Sequence, residues 1–281
     1  MHYIKFVQIC FFIIYSNQLF GQTGIVHARM VTDYDVLDVS NMRVAYSFEY
    51  VYNVERTVDK SSDIVYLDIG KKVSKCYSSI AYMFDSIYTV DMLTNNMESR
   101  KSADQALDVE VYKNHLLRKT TVIHRTPIVN ESDFLYTDDY CNFNWEIHLH
   151  RKTILGYSCQ KATTTFRGRT WEAWFTDEIP VSDGPWKFCG LSGLILEVSD
   201  SQKHCFFTCT GIVQKQTPIV MYKWGYQKTT REKLNTHLVY FNANVKKYLN
   251  NQGVEVYNMK DGKLVPAPDD FGVPYNPIEL E

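Results

Sequence analysis

Short runs rich in Val, Ile, Thr, Tyr and Phe, in which apolar and polar side chains alternate, recur along most of this chain with few helical patterns between them. Met42 to Val54 is the clearest, and Ile64 to Ile69, Asp108 to Tyr112, Thr120 to His124 and Phe143 to Leu149 follow. Thr153 to Arg167, Arg169 to Thr176, Gly193 to Ser199 and Cys205 to Lys215 continue the series. A period of two marks half-buried strands, because successive side chains point to opposite faces. Strands that follow one another without crossover helices pair antiparallel. The expected fold is therefore mainly β within the α+β class: a single curved antiparallel sheet or open half-barrel, a few packing helices and an extended C-terminal tail.

Two segments carry the helical period instead. Ser78 to Met92 places Ile80, Met83, Phe84, Ile87 and Tyr88 three to four residues apart, and Thr229 to Asn250 aligns Leu234, Leu238, Phe241, Val245 and Leu249. Thr229 stands three residues before Glu232, the spacing of a capping box. Beyond Gly262 come Pro266, Pro268, Pro274 and Pro277 with few apolar residues, so 263–281 reads as an extended tail lying over the surface. A β-rich domain spans 22–262.

The start of the chain speaks to its address. Lys5 precedes an apolar run from Phe6 to Tyr15, and Gly21 is a small residue before Gln22. This is the pattern of a cleavable signal peptide over residues 1–21. The run is too short for a hydrocarbon core, which needs about 20 residues, and no later segment reaches that length, so no transmembrane span is expected. With Lys5 removed, the formal charge moves from −2 to −3, which gives no electrostatic reason to expect nucleic acid. Cys76, Cys141, Cys159, Cys189, Cys205 and Cys209 then remain, and an oxidising compartment favours at least one disulfide. Cys205 and Cys209 lie four residues apart on one expected strand, about 13 Å, beyond the roughly 7 Å a disulfide spans. Cys141 with Cys159, which flank adjacent expected strands, is the preferred pair.

Between Ile154 and Val198 the chain holds an ordered set of short motifs: Gly156-Tyr157-x-Cys159-x-Lys161-Ala162, Trp174-Phe175-Thr176, Ile179-Pro180, Gly184-Pro185-x-Lys187-Phe188 and Gly190-Leu191-Ser192-Gly193-Leu194-Ile195. Tyr275-Asn276-Pro277-Ile278-Glu279 closes the chain. This set resembles the GLPGLI family of exported Bacteroidetes proteins, with Ser192 where the family has Pro. The resemblance implies a periplasmic or outer-membrane-associated protein and names no activity. From the residues alone, Arg167-Gly168-Arg169 marks a hairpin bend. Gly190 and Gly193 bracket a tight turn, with Gly193 expected at a positive φ, and Leu194 to Val198 re-enters the core. The motif thus reads as scaffold rather than catalytic loop.

No complete catalytic set appears. His148-x-His150 would share one strand face, but two ligands do not make a zinc site. Cys189 as a nucleophile would need a base, His204 being the nearest histidine in sequence. Ser192 lacks the strand–elbow–helix setting of a hydrolase, and Asp138-Asp139 and Asp177-Glu178 are adjacent acids of the kind common on surfaces. No cofactor, metal or catalytic residue is expected. The reading is a non-enzymatic binding or accessory protein whose sheet offers an apolar face to an apolar or peptide ligand or to an outer-membrane protein partner, a layout similar to the half-barrels of periplasmic lipoprotein carriers. The alternatives are a periplasmic hydrolase with dispersed catalytic residues and a purely structural outer-membrane-associated component.

Overall fold

The computed structural model describes residues 12–14, 27–58, 60–95, 107–126, 132–251, 253 and 255–281. The expected leader, residues 1–21, lies outside them apart from the short strand β1 (Phe12–Ile14). The strands that follow are β2 (Tyr34–Val51), β3 (Lys60–Gly70), β4 (Val73–Ser78), β5 (Val109–Asn114), β6 (Lys119–His124), β7 (Phe134–Asp139), β8 (Glu146–Ile154) and β9 (Tyr157–Phe166). Then come β10 (Arg169–Thr176), β11 (Leu194–Asp200), β12 (Cys205–Gln214), β13 (Pro218–Tyr222), β14 (Gln227–Lys228), β15 (Val256–Lys260) and β16 (Lys263–Pro266). Helix α1 is Ser79–Thr94, α2 Arg231–Ala243 and α3 Val245–Asn251.

The protein is mainly β, as expected. Thirteen strands form one sheet in the order β14-β7-β6-β5-β4-β3-β2-β12-β11-β10-β9-β8, with β13 on the far half of β2. β14 and β8 end the order unpaired with each other, so the sheet is open. Its ladders are antiparallel except the short parallel pairing of β14 with β7. A small second sheet, β1-β15-β16, stands apart.

Alternation places the core. In β2, Val44, Tyr46, Phe48 and Tyr50 are buried, and Ala45, Ser47 and Glu49 between them are less so. These side chains join Leu67 of β3, Val122 of β6, Tyr136 of β7, Trp171 of β10 and Phe207 of β12 in one cluster. Both halves of the sheet therefore share a single interior, which requires the sheet to curl. A smaller cluster of Val73, Tyr112, Ile123 and Ile219 lies on the opposite face, beneath β13.

Helix α1 starts where Ser78 accepts a hydrogen bond from the Ala81 amide, one residue later than the helical pattern suggested. For α2 the cap is Thr230, accepting from the Lys233 amide, and not the expected Thr229. The single helix expected from Thr229 to Asn250 breaks at Asn244 into α2 and α3. The run Thr153 to Arg167 is likewise two strands joined by a hairpin, with Leu155 and Gly156 both at positive φ.

Candidate functional site

The segment between β10 and β11 carries half of the motif residues found between Ile154 and Val198, and it folds into the curl of the sheet. Ile179, Trp186, Phe188 and Leu191 are buried there. The Phe188 ring lies 4.8 Å from Trp171 and 5.0 Å from Trp186, and Phe207 stacks on Phe48 at 4.1 Å. Among the described residues, the inner face expected to receive an apolar ligand is therefore filled by the chain's own aromatic side chains.

Two buried lysines hold this plug in place. Lys113 of β5 is fully buried; its Nζ pairs with Asp183 and donates to the carbonyls of Gly184 at 2.6 Å and Phe188 at 3.2 Å. A buried lysine whose hydrogen bonds run to a carboxylate and two main-chain carbonyls fixes backbone position, because each of those groups would otherwise be desolvated without a partner. Lys187 meets Asp138 at 2.8 Å, the Tyr136 hydroxyl at 3.0 Å and the Glu279 carboxylate. Burial works against the Lys187 charge, but Tyr136, Glu279 and Asp138 together raise its pKa above the ordinary lysine value. For Asp138, burial is outweighed by Lys187 and Arg167, which bring its carboxyl below the usual range.

The six motif residues have structural roles here. Gly190 adopts φ +95°, while Gly193 does not take the positive φ expected of it. Gly193 is needed for closeness instead: a Cβ there would lie 1.9 Å from the Thr176 carbonyl oxygen. Leu191, Leu194 and Ile195 are core, and the Ile195 carbonyl accepts from the Tyr46 hydroxyl at 2.7 Å. Ser192 is exposed and donates to Asp177 at 2.5 Å. In the flanks, Gly156 turns the β8–β9 hairpin, Tyr157 opens β9, and Trp174 donates to Glu172 at 3.0 Å beneath the Lys152 ammonium. Gly184 packs against Ile195, and the Pro185 carbonyl accepts from the Phe188 amide at 3.1 Å.

The disulfide joins Cys141 to Cys189, with Cα atoms 5.3 Å apart, and not Cys141 to Cys159. The inward fold of 177–193 brings Cys189 under the end of β7. Cys159 is a buried free thiol that burial pushes up to about 11. Bonded in this way, Cys189 cannot serve as a thiolate nucleophile. Cys205 and Cys209 do not pair with each other. On β8, His148 Nε2 shares a hydrogen bond with Thr163 Oγ1 at 2.7 Å and His150 is exposed. Among the described residues, no group of three His, Cys, Asp or Glu side chains is placed to hold a metal ion.

An open cleft of about 420 Å³ lies elsewhere, between the β7–β14 margin of the sheet and helices α2 and α3. Its walls include Ser132, Phe134, Thr229, Lys233, His237 and Tyr248. The His237 ring sits 5.1 Å from Phe134 and 5.6 Å from Tyr248. This volume falls in the range of small-molecule sites. Its lining mixes hydroxyl, amide, ammonium and imidazole groups with aromatic surface, which suits a hydroxyl-rich ligand better than a purely apolar one. The helical and strand patterns gave no pointer to it, since its residues come from four separate elements.

The family model described as N-glycanase peptide, N-terminal domain matches residues 85–240, more than half of the chain. The chain belongs to that family. The matched stretch carries the plug, Lys113 and Lys187, the disulfide and every cleft residue named above except Tyr248. Two solved structures of PNGF-II, in the P21 and C2 space groups, are similar at 13% and 14% sequence identity, with TM-scores of 0.47 and 0.45. They cover 72% and 71% of this chain, which spans about a third of their length, 34% and 32%. Among curated proteins, none matches the chain.

Proposed function

We propose that this protein is an exported, GLPGLI-type accessory module of an N-glycan-processing system, and that it binds part of a glycan or glycopeptide in the cleft between β7 and α2. The observation that carries the proposal is the family match over 85–240, which includes most of the cleft with mixed polar and aromatic walls. The filled interior of the sheet supports the cleft over the concave face as the ligand site. Lys233, Ser132 and Thr229 supply donors and acceptors at its rim, and Tyr248 and Phe134 supply ring surface for the C–H faces of a sugar. Export removes the leader before the module works, so N-terminal sequencing of secreted material starts within a few residues of Gln22.

The test is a titration of the isotope-labelled protein with a free N-glycan and with the same glycan on an asparagine-containing peptide, read by amide chemical shifts. Saturable shifts confined to α2, β14 and the start of β7, abolished in Lys233→Ala with His237→Ala, are the expected result. Shifts absent there at millimolar glycan would overturn the proposal.

A further inference from the structure

The last residues of the sequence bind the sheet as a ligand binds a receptor. Asn276 and Glu279 are buried although the segment belongs to no strand or helix. The Arg169 guanidinium reads three consecutive residues. Its Nη2 donates to the Asn276 side-chain oxygen and the Pro277 carbonyl, both at 2.6 Å, and its Nε donates to the Pro277 carbonyl at 3.2 Å and the Ile278 carbonyl at 3.0 Å. The Asn276 amide donates in turn to the Val51 carbonyl at 2.6 Å. Glu279 enters beside Lys187, with Arg167 and Arg231 about 4 Å from its other oxygen. The Leu280 amide donates to the Arg167 carbonyl at 2.9 Å.

What separates this from ordinary packing is that the receptor's charges are satisfied without the segment. Arg169 keeps Asp200 at 2.8 Å, and Asp200 is itself fixed by the amides of His204 and Cys205. Lys187 keeps Asp138 and Tyr136, and Arg167 keeps Asp138 at 3.0 Å. Withdrawal of the segment therefore leaves no buried ion without a counter-ion, the condition that makes most buried charges inseparable from their partners. The segment also suits reversible docking. Pro277 has no amide to desolvate, and Pro274 and Pro277 bias the chain towards extended backbone, so little conformational freedom is lost on binding.

We infer that the groove formed by Arg169, Lys187, Arg167 and the end of β2 is a binding site for an extended Asn-Pro-apolar-Glu peptide, held in cis by residues 276–279 and open to the same segment of a second copy of this chain when its own is withdrawn. The recognition is specific at two points. The Asn276 side chain both accepts from Arg169 and donates to Val51, which neither Asp nor Ala can do, and Glu279 is the one carboxylate the segment places beside Lys187.

The test uses the full chain carrying Asn276→Ala and Glu279→Ala, together with a fluorescent synthetic peptide of residues 273–281. Saturable anisotropy with this variant, and at least tenfold weaker apparent binding to the wild-type chain, whose own segment competes, are expected. A peptide carrying Glu279→Gln should bind about tenfold or more weakly, the loss expected of one charge-assisted hydrogen bond. No binding to the folded variant, or equal binding of the two peptides, overturns the inference. Should the variant fail to fold, hydrogen exchange of the wild-type chain decides. A Leu280 amide that exchanges faster than the β9 and β10 amides supports a separable segment, and one that exchanges only with them overturns it.

Discussion

Adding one methyl group at Gly193 should be far more damaging than adding one at Gly190, although both glycines stand in the same six-residue motif. At Gly193 the new Cβ would lie 1.9 Å from the Thr176 carbonyl oxygen, 2.5 Å from its carbon and 2.9 Å from the Asp177 nitrogen. A carbon and a carbonyl oxygen normally approach to about 3.3–3.6 Å, so the backbones must part by more than an ångström. Thr176 and Leu194 are the partners that begin the β10–β11 ladder, and that pairing would be lost. Overpacking costs about 1–3 kcal/mol and each lost hydrogen bond about 1 kcal/mol, which puts Gly193→Ala near 3 kcal/mol or above. At Gly190 the nearest atom to a new Cβ is 3.8 Å away, so only the φ of +95° opposes it. That costs about 1–2 kcal/mol, partly offset by about 0.4–1 kcal/mol from the stiffer unfolded chain. Gly211 has no atom within 4 Å of its Cβ position and serves as the control. Urea unfolding of the three variants reads the order directly from midpoints at equal slope. If Gly193→Ala unfolds at the same urea concentration as Gly211→Ala, the close-approach argument is wrong. Ser192→Ala, which loses only an exposed hydrogen bond, should stay within about 0.5 kcal/mol of wild type.

Three further outcomes are expected. Lys113→Met leaves the buried Asp183 carboxylate without its cation and should destabilise by about 3–5 kcal/mol, with Asp183→Asn in the same chain recovering much of the loss in a double-mutant melt. Cys141→Ser opens a loop of 48 residues and should lower stability by up to about 4 kcal/mol, and peptide mapping without reductant should recover Cys141 joined to Cys189 and Cys159 free. Burial pushes Asp63 of β3 up to about 6 from 3.8, with Ser78 and nearby backbone amides offsetting only part of it. The folded state then holds a proton that the unfolded state releases between those values, so stability falls as pH rises from about 4 to 6. Asp63→Asn should remove that slope and raise stability at pH 7.5 by up to about 3 kcal/mol, and a pH series of melts with unchanged slope would refute it.

Much of the sheet is legible because β2, β9, β10 and β12 alternate and bury one face. The strands that escaped are those in which the pattern is short or inverted. β4, Val73–Ser78, is buried on both faces, so Ser74 and Lys75 break the expected alternation while Lys75 sits among the Tyr77, Tyr112 and Tyr222 rings. β7 ends in Asp138 and Asp139, whose charge reads as loop until Lys187 and Arg167 are seen beside Asp138. The disulfide differs from the expected pair for a related reason: Cys141 and Cys159 flank adjacent strands in sequence, but the inward fold of 177–193 brings Cys189 to Cys141 instead. Lys113 falls just beyond the expected strand Asp108 to Tyr112, and its partner Asp183 lies seventy positions away. Asn276 and Glu279 were visible as part of a recurrent ending, but the cations that receive them come from β10 and the plug.

The distribution of charge explains why the motif is conspicuous and the cleft is not. A plug that fills a curled sheet must bring main-chain carbonyls and amides into the interior, and each needs a partner there. Lys113 serves the carbonyls of Gly184 and Phe188, Trp145 donates to the Cys189 carbonyl at 2.9 Å, and Cys76 accepts from the Trp186 amide. Every such contact constrains the plug to one path, which requires small or turning residues at fixed positions and so produces a recognisable string of Gly and Pro. The cleft demands no such path. Its walls are side chains on already formed elements, free to vary in identity without altering the fold, and a ligand-specific surface built that way leaves little trace in local sequence. Scaffold and proposed site are thus separated in this chain: the residues that read as a motif secure the sheet, and the cleft lies on the margin between β7 and α2.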